Sequence, residues 1–300
     1  MMGVKVARPD YDAVRRFVEK LLEDPSAESK VLREAALGAL EYSEDVKRWL
    51  GWALEAARGV VGEVARGYAD AGYLAVRLYY RLVTPGLVGA GGGLLKPVFE
   101  VGLSIHPLLG LPYYPGSGLK GAVRALAEVV LGEEAAAAVF GYTGGEGGGL
   151  AGAVVFEDML PVGCFERGCS VYRGLVIAPH YHRDGRPVPV ELLAVPQPVP
   201  HLGVEEGLVF GLVYAVHPVR ARIALERLGG SVGGACGGGD GQGVYGGLCE
   251  QVRGLLSSSR RPEERLAALV FVLTNAVLSQ GIAARSTKGY NVFELLEGEP

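Results

Sequence analysis

The residues Gly110-Leu111-Pro112-Tyr113-Tyr114-Pro115-Gly116-Ser117-Gly118-Leu119-Lys120-Gly121-Ala122-Val123-Arg124 concentrate the chemistry of this chain. Pro115 and Gly116 are turn formers, and Ser117 is placed to cap a helix that Leu119 begins. A helix N-terminus offers free backbone N–H groups and the positive end of a dipole, which together suit a phosphate. Lys120 and Arg124 are four apart and so share one face of that helix. Gly116, Gly118 and Gly121 let a ligand approach the backbone closely. This pattern predicts a place where a phosphate-bearing molecule is held. The competing reading is a capped helix that is simply packed tightly.

Gly116-x-Gly118-x-x-Gly121 matches the dinucleotide fingerprint, and Val123 extends it to the glycine loop of kinases. Context argues against both. A dinucleotide site needs a buried strand just ahead, but Pro112 and Pro115 stand there. The lysine strand, catalytic-loop aspartate and metal aspartate of a kinase are not found. A P-loop needs Ser or Thr after its lysine, and Gly121 follows Lys120.

Two other clusters could do chemistry. His180-x-His182-x-Asp184 offers metal ligands from one strand face. His106, with Tyr113 or Tyr114 near Lys120, offers acid–base groups for an RNA 2′-hydroxyl. Histidines beside prolines also serve as turn or core residues, so both roles stay open. Asp158 reads as a loop cap. A second basic loop contains Gly281, Arg285, Lys288, Gly289 and Tyr290. Backbone amides, two cations and an aromatic ring suit a sugar-phosphate and a stacked base. A solvated hairpin turn is the plainer alternative.

These residues need elements to position them. Residues 1–70 read as a helical N-terminal extension. Tyr11, Val14, Phe17, Val18, Leu21 and Leu22 recur at helical spacing before Pro25, and later runs pass through Val31–Leu40 and Trp49, Leu50 and Leu54. Character changes at Tyr73. Residues 71–300 read as one α+β domain, with strands over Tyr73–Val83, Val98–Ile105, Ala153–Phe156 and Leu208–Val216. Helices are expected from the first motif to about Leu131 and from Pro262 to about Ser279, followed by a last strand at Phe293. That order suits a ferredoxin-like (RRM-like) sheet with helices on one face. Gly229–Gly247 is nearly low-complexity and reads as a mobile loop.

The chain of 300 residues is 49% hydrophobic and carries a net charge of −4, ample for a large core. A free-standing nucleic-acid binder is usually basic overall, which counts against one here but not against local basic surfaces. Between Ala71 and Ala125 the charges are Arg77, Arg81, Lys96, Lys120 and Arg124 against Glu100 alone. The Met1 end lacks the pattern of a signal peptide and the apolar run Leu266–Leu278 is too short for a bilayer, so a cytoplasmic protein with no membrane partner is expected. Few Asn and Met residues, with abundant Ala, Val, Arg and Glu, lean towards a thermophile. Cys164, Cys169, Cys236 and Cys249 lack zinc-knuckle spacing and are expected as small buried residues, with a disulfide the alternative.

The first motif, Pro115-Gly116-Ser117-Gly118-Leu119-Lys120-Gly121, resembles the proline-glycine-serine-serine-leucine-lysine-glycine motif of the RAMP proteins, RNA-binding subunits of CRISPR effectors. Gly281–Phe293 resembles their glycine-rich C-terminal loop. His106-Pro107 with Gly110 and Pro112, and Ala178-Pro179-His180-Tyr181 with Pro187 and Pro189, resemble segments of one subunit family of the type III-B Cmr complex, the sixth-named. Gly118 stands where the motif has its second serine. Ala283 and Asn291 stand where the loop usually has glycines; Asn tolerates left-handed backbone and Ala does so poorly.

The resemblance implies a non-catalytic backbone subunit without cofactor or metal. Its partners would be guide RNA near the 3′ end, the paired target RNA and the other Cmr subunits. The implied RNA contacts are Ser117, Gly118, Lys120, Gly121, Arg124, Gly281, Arg285, Lys288, Gly289 and Tyr290. The enzymatic alternative is a metal-independent endoribonuclease that processes CRISPR RNA. A small-molecule phosphate-binding module is a third.

Overall fold

The computed structural model describes residues 44–90, 102–142, 149–165, 170–177, 182–183, 186–187, 199–228, 236, 245–283 and 286–299. Of residues 1–70, expected as a helical extension, the described part is α1 (Glu44–Asp70). The main sheet contains β1 (Leu74–Leu82), β2 (Val154–Phe156), β3 (Leu160–Cys164), β6 (Leu208–Val216) and β7 (Phe293–Leu295). A separate ribbon pairs β4 (Tyr172–Ile177) with β5 (Val199–Val204). The remaining helices are α2 (Gly116–Leu131), α3 (Glu133–Phe140), α4 (Pro218–Leu228), α5 (Gly246–Leu256) and α6 (Pro262–Gln280).

The sheet runs β7-β1-β6-β2, with β3 also paired to β6. Its ladders are antiparallel, and Tyr80 of β1 lies opposite Phe210 on one side and Leu295 on the other. β1 and β6 are therefore its inner strands, and β7, the last in the chain, closes one edge.

All nine residues of β6 are buried, as expected of a strand covered on both faces. Its Tyr214 hydroxyl donates to the Ala267 carbonyl of α6 at 2.9 Å. Its Gly211 faces the other way: a Cβ there would lie 3.0 Å from Val61 of α1 and 3.1 Å from Val162. The expectation of helices on one face is thus corrected. Leu50, Ala53, Ala57 and Val61 recur at helical spacing along α1 and are buried in the same core as the sheet. Leu208-Val209-Phe210-Gly211-Leu212-Val213-Tyr214 is apolar without alternation, and that is the sequence signal for double coverage.

Other expectations meet mixed outcomes. β6 and α6 form where the sequence places them; α6 starts at Pro262 with Glu263 and Glu264 in its first turn. Of Val98–Ile105, Gly102–Leu103 pairs with Gly89–Ala90 and Ile105 bridges Pro112, while residues 98–101 lie outside the described part. Gly246 and Gly247, assigned to a mobile loop, open α5 instead. The cysteines are also corrected. Cys236 and Cys249 are buried and joined in a disulfide, and Cys164 is disulfide-bonded as well. Among the described residues no helix is long and apolar enough to cross a membrane.

Candidate nucleic-acid interface

The first motif is built on an exchange of backbone bonds. Tyr114 N–H donates to Met159 O at 3.1 Å and Met159 N–H returns the bond at 2.9 Å. This fixes Pro115 against the turn after β2. Pro115 has φ −58° and ψ 128°, extended geometry, and α2 starts at the next residue. Ser117 was expected as the cap, but its side chain makes no capping bond. Asp158 takes that place: its carboxylate accepts the Gly116 N–H at 2.7 Å. Gly116 packs so closely on the turn that a Cβ would lie 2.5 Å from Phe156 O and 2.6 Å from Glu157 O. No side chain larger than hydrogen fits there without moving backbone.

Beyond that anchored residue the helix opens outward. Ser117, Gly118 and Gly121 are exposed, and a Cβ on Gly118 or Gly121 would meet nothing within 4 Å. The two later glycines thus leave the first turn bare, whereas Gly116 lets it dock.

Lys120 is half-buried at the edge of this turn. Desolvation, and then the neighbouring Arg124, lowers its pKa from the ordinary 10.5. Among the described residues its ammonium has no carboxylate or hydrogen-bond partner. Arg124 is differently placed: its guanidinium donates to Glu128 at 2.8 Å and to the Gly141 carbonyl at 2.9 Å. Arg77 pairs with Glu299, and Arg81 with Glu294. Lys96 lies outside the described residues. Of the basic cluster seen in the sequence, Lys120 is the described member with its charge uncompensated.

The second loop leaves α6 through a left-handed chain. Gly281 has φ 93°, Ala283 φ 60°, Gly289 φ 83° and Asn291 φ 60°. Ala283 therefore adopts the conformation that alanine tolerates poorly. Ser286–Lys288 makes one 3-10 turn, closed by Gly289 N–H to Ser286 O at 2.9 Å. Lys288 and Gly289 are exposed and Tyr290 is partly buried. Arg285, and the His180 and Asp184 of the candidate metal cluster, lie outside the described residues.

Asn291 joins the two loops, and the sequence reading missed it. It is completely buried. Its Oδ1 accepts the Leu87 N–H at 2.6 Å and the Tyr114 hydroxyl at 2.9 Å, while its own N–H donates to Pro85 O at 3.1 Å. Tyr114 itself is fully buried between Phe210 and Phe293, ring centroids 5.3 and 5.1 Å away. Burial pushes its hydroxyl far above the usual tyrosine range, so it stays a proton donor. The one available signal was an asparagine where the resembled loop has glycine.

His106 begins the turn that leads into the motif. Its N–H donates to Leu111 O at 2.8 Å, and its Nδ1 accepts the Leu109 N–H at 3.3 Å. Gly110, at φ 60°, would bring a Cβ within 2.5 Å of the Trp49 ring of α1. Next to this turn lies a cleft of about 160 Å³, lined by His106, Glu157, Asp158, Val61, Val64 and Val213 among others. The Tyr68 hydroxyl of α1 donates to Glu157. Burial and that carboxylate raise the Tyr68 pKa to about 12.

The protein-family model described as the RAMP superfamily matches residues 79–290. The CRISPR system CMR subunit Cmr6 of Saccharolobus solfataricus is 34% identical over 127 residues, 42% of this chain and 40% of that protein. The alignment thus spans less than half the length of the curated relative. A chain in the cryo-EM structure of the Type III-B Cmr-beta bound to cognate target RNA is similar with a TM-score of 0.53 and 24% identity, covering 90% of this chain and 74% of that one. The likeness shows a shared fold. The crystal structure of Cmr6 from Pyrococcus furiosus has a TM-score of 0.38 and 17% identity, over 75% of this chain and 99% of that one.

Proposed function

The chain belongs to the RAMP superfamily, and from that premise we propose that it is a non-catalytic RNA-binding backbone subunit of a type III-B CRISPR (Cmr) complex. It contacts guide RNA near its 3′ end together with the paired target RNA, and its protein partners are the other subunits of that complex. The relation to a named Cmr6 subunit supports this assignment, including the sixth-subunit identity. The strand order β7-β1-β6-β2 supports a ferredoxin-like domain in the family sense: β7 lies beside β1, and β6 separates β1 from β2. Residues 71–300 form the RNA-binding domain in this reading and residues 1–70 its helical extension, the described part of which packs on the sheet.

One observation carries the reading. The bare first turn of α2, with the unpaired Lys120, is tied through Tyr114 and Asn291 to the loop bearing Lys288, Gly289 and Tyr290. Free amides at a helix N-terminus and a desolvated lysine suit a phosphate. A second loop with a cation and an aromatic suits the next sugar and base. The RNA contacts on this view are Ser117, Gly118, Lys120, Gly121, Arg124, Gly281, Arg285, Lys288, Gly289 and Tyr290.

Photo-crosslinking of RNA to the purified chain, alone and with Cmr partners, tests the assignment. Crosslinks are expected in the peptides bearing Lys120 and Lys288. Their absence in both settings overturns it.

A further inference from the structure

The cleft beside the α2 N-terminus has a use that neither loop explains. We propose that it receives a single guanine base, turned out of the RNA strand whose phosphate sits at Lys120. This rests on the RNA-binding reading above and adds a base-specific site to it.

Size is the first argument. About 160 Å³ is well below the roughly 300–1,000 Å³ of pockets for drug-sized ligands, yet it holds one planar ring system. The walls are the second. Val60, Val61 and Val64 of α1 line the cleft together with Val213 of β6, so a ring entering it meets an apolar lining beside the two carboxylates. Position is the third. Asp158 lines the cleft and also holds the Gly116 N–H at 2.7 Å. The cleft therefore lies beside the same helix end at which the phosphate is proposed to sit.

The polar groups then select the base. Glu157 and Asp158 are carboxylates, which only accept hydrogen bonds when ionised. The Tyr68 hydroxyl fixes the Glu157 carboxylate from behind. His106 accepts the Leu109 N–H on Nδ1 at 3.3 Å, which leaves its proton on Nε2 as a donor. The rim thus offers two acceptors and one donor. The Watson–Crick edge of guanine has the complement: N1–H and N2–H donors beside the O6 acceptor. Uracil offers two carbonyls and one N–H, and would set a carbonyl against a carboxylate. Proteins read splayed single-stranded bases in this way, on the edge that pairing has released.

The test uses the full chain and a short oligouridine carrying one central guanosine, compared with the same strand carrying inosine, which lacks the 2-amino group, and with uridine throughout. The guanosine strand is expected to bind at least about fivefold tighter than either. Glu157→Gln, which replaces one of the two accepting oxygens by an NH2 donor and removes the charge at the same size, should collapse that ratio towards one. Val60→Phe fills the mouth from an exposed position of α1 and should do the same without entering the core. Equal binding of all three strands, still weakened by Lys120→Ala, overturns the guanine site and leaves the RNA-binding assignment standing. No binding to any strand, by the chain alone and with Cmr partners, overturns both.

Discussion

The Tyr114 hydroxyl donates to Asn291 Oδ1 at 2.9 Å, inside the core, and this bond couples the motif that opens α2 to the loop that closes α6. Asn291 also holds the Leu87 N–H. Replacing it leaves two buried donors without an acceptor, at about 1–3 kcal/mol each. Asn291→Ala should therefore destabilise the protein by about 2–6 kcal/mol, read from denaturant unfolding. Tyr114→Phe alone should cost about 1 kcal/mol. The double variant should fall short of the sum of the two, and strict additivity would show that the bond carries no coupling.

Ala283 sits at φ 60°, where a Cβ costs roughly 1–2 kcal/mol. Glycine removes that cost but gains entropy in the unfolded chain of about 0.4–1 kcal/mol. Ala283→Gly should stabilise the fold by about 0.5–1 kcal/mol in the same unfolding measurement. A loss of stability would mean that the methyl group makes a compensating contact.

Lys120→Ala should weaken RNA binding and reduce the salt slope by about 0.7–0.9, one phosphate's share. An unchanged slope would make Lys120 structural. pH supplies a second readout. The folded pKa of Lys120 lies below the ordinary 10.5, chiefly through desolvation. The unfolded chain then keeps this proton to higher pH, so folding stability gains from this group as pH rises from the folded value to about 10.5. RNA binding needs the charged form and should weaken over that same window. Lys120→Ala should abolish both trends.

The Cys236–Cys249 disulfide closes a loop of sequence separation 13, worth about 3 kcal/mol by chain-entropy arguments. The double variant Cys236→Ser with Cys249→Ser should lower the unfolding free energy by about that amount. Arg253 donates to Cys236 O at 2.6 Å and packs the bridge against α5. A change below about 0.5 kcal/mol would show the loop to be held by those contacts alone.

Local sequence marked much of this architecture. β6 and α6 were legible because nine apolar residues in a row, and Pro262 followed by two acids, are strong signals of strand and helix start. The helix after Pro115 was equally plain. What stayed hidden depended on partners far away in the chain. Ser117 had the right chemistry for a cap, but Asp158, 42 residues beyond Gly116, occupies the position. Arg124 shares a face with Lys120, yet Glu128 and Gly141 engage it. The covering of the second sheet face by α1 was readable in principle from the unbroken apolar run of β6, since an alternating strand would have faced solvent. The short helices α3 and α4 were not anticipated; Gly132 with Glu133 and Glu134, and Pro218, are their signals.

The span from Tyr114 to Asn291 also has a meaning in time. The two residues are 177 positions apart, and a ribosome adding about 5–20 residues per second needs roughly ten to thirty seconds to cover that distance. Throughout that interval Lys120 has been made, but the residue that fastens its motif to the second loop has not. A nascent chain thus lacks the joined pair of loops that the proposed RNA grip requires, and acquires it only when its late-made segment comes home to the sheet.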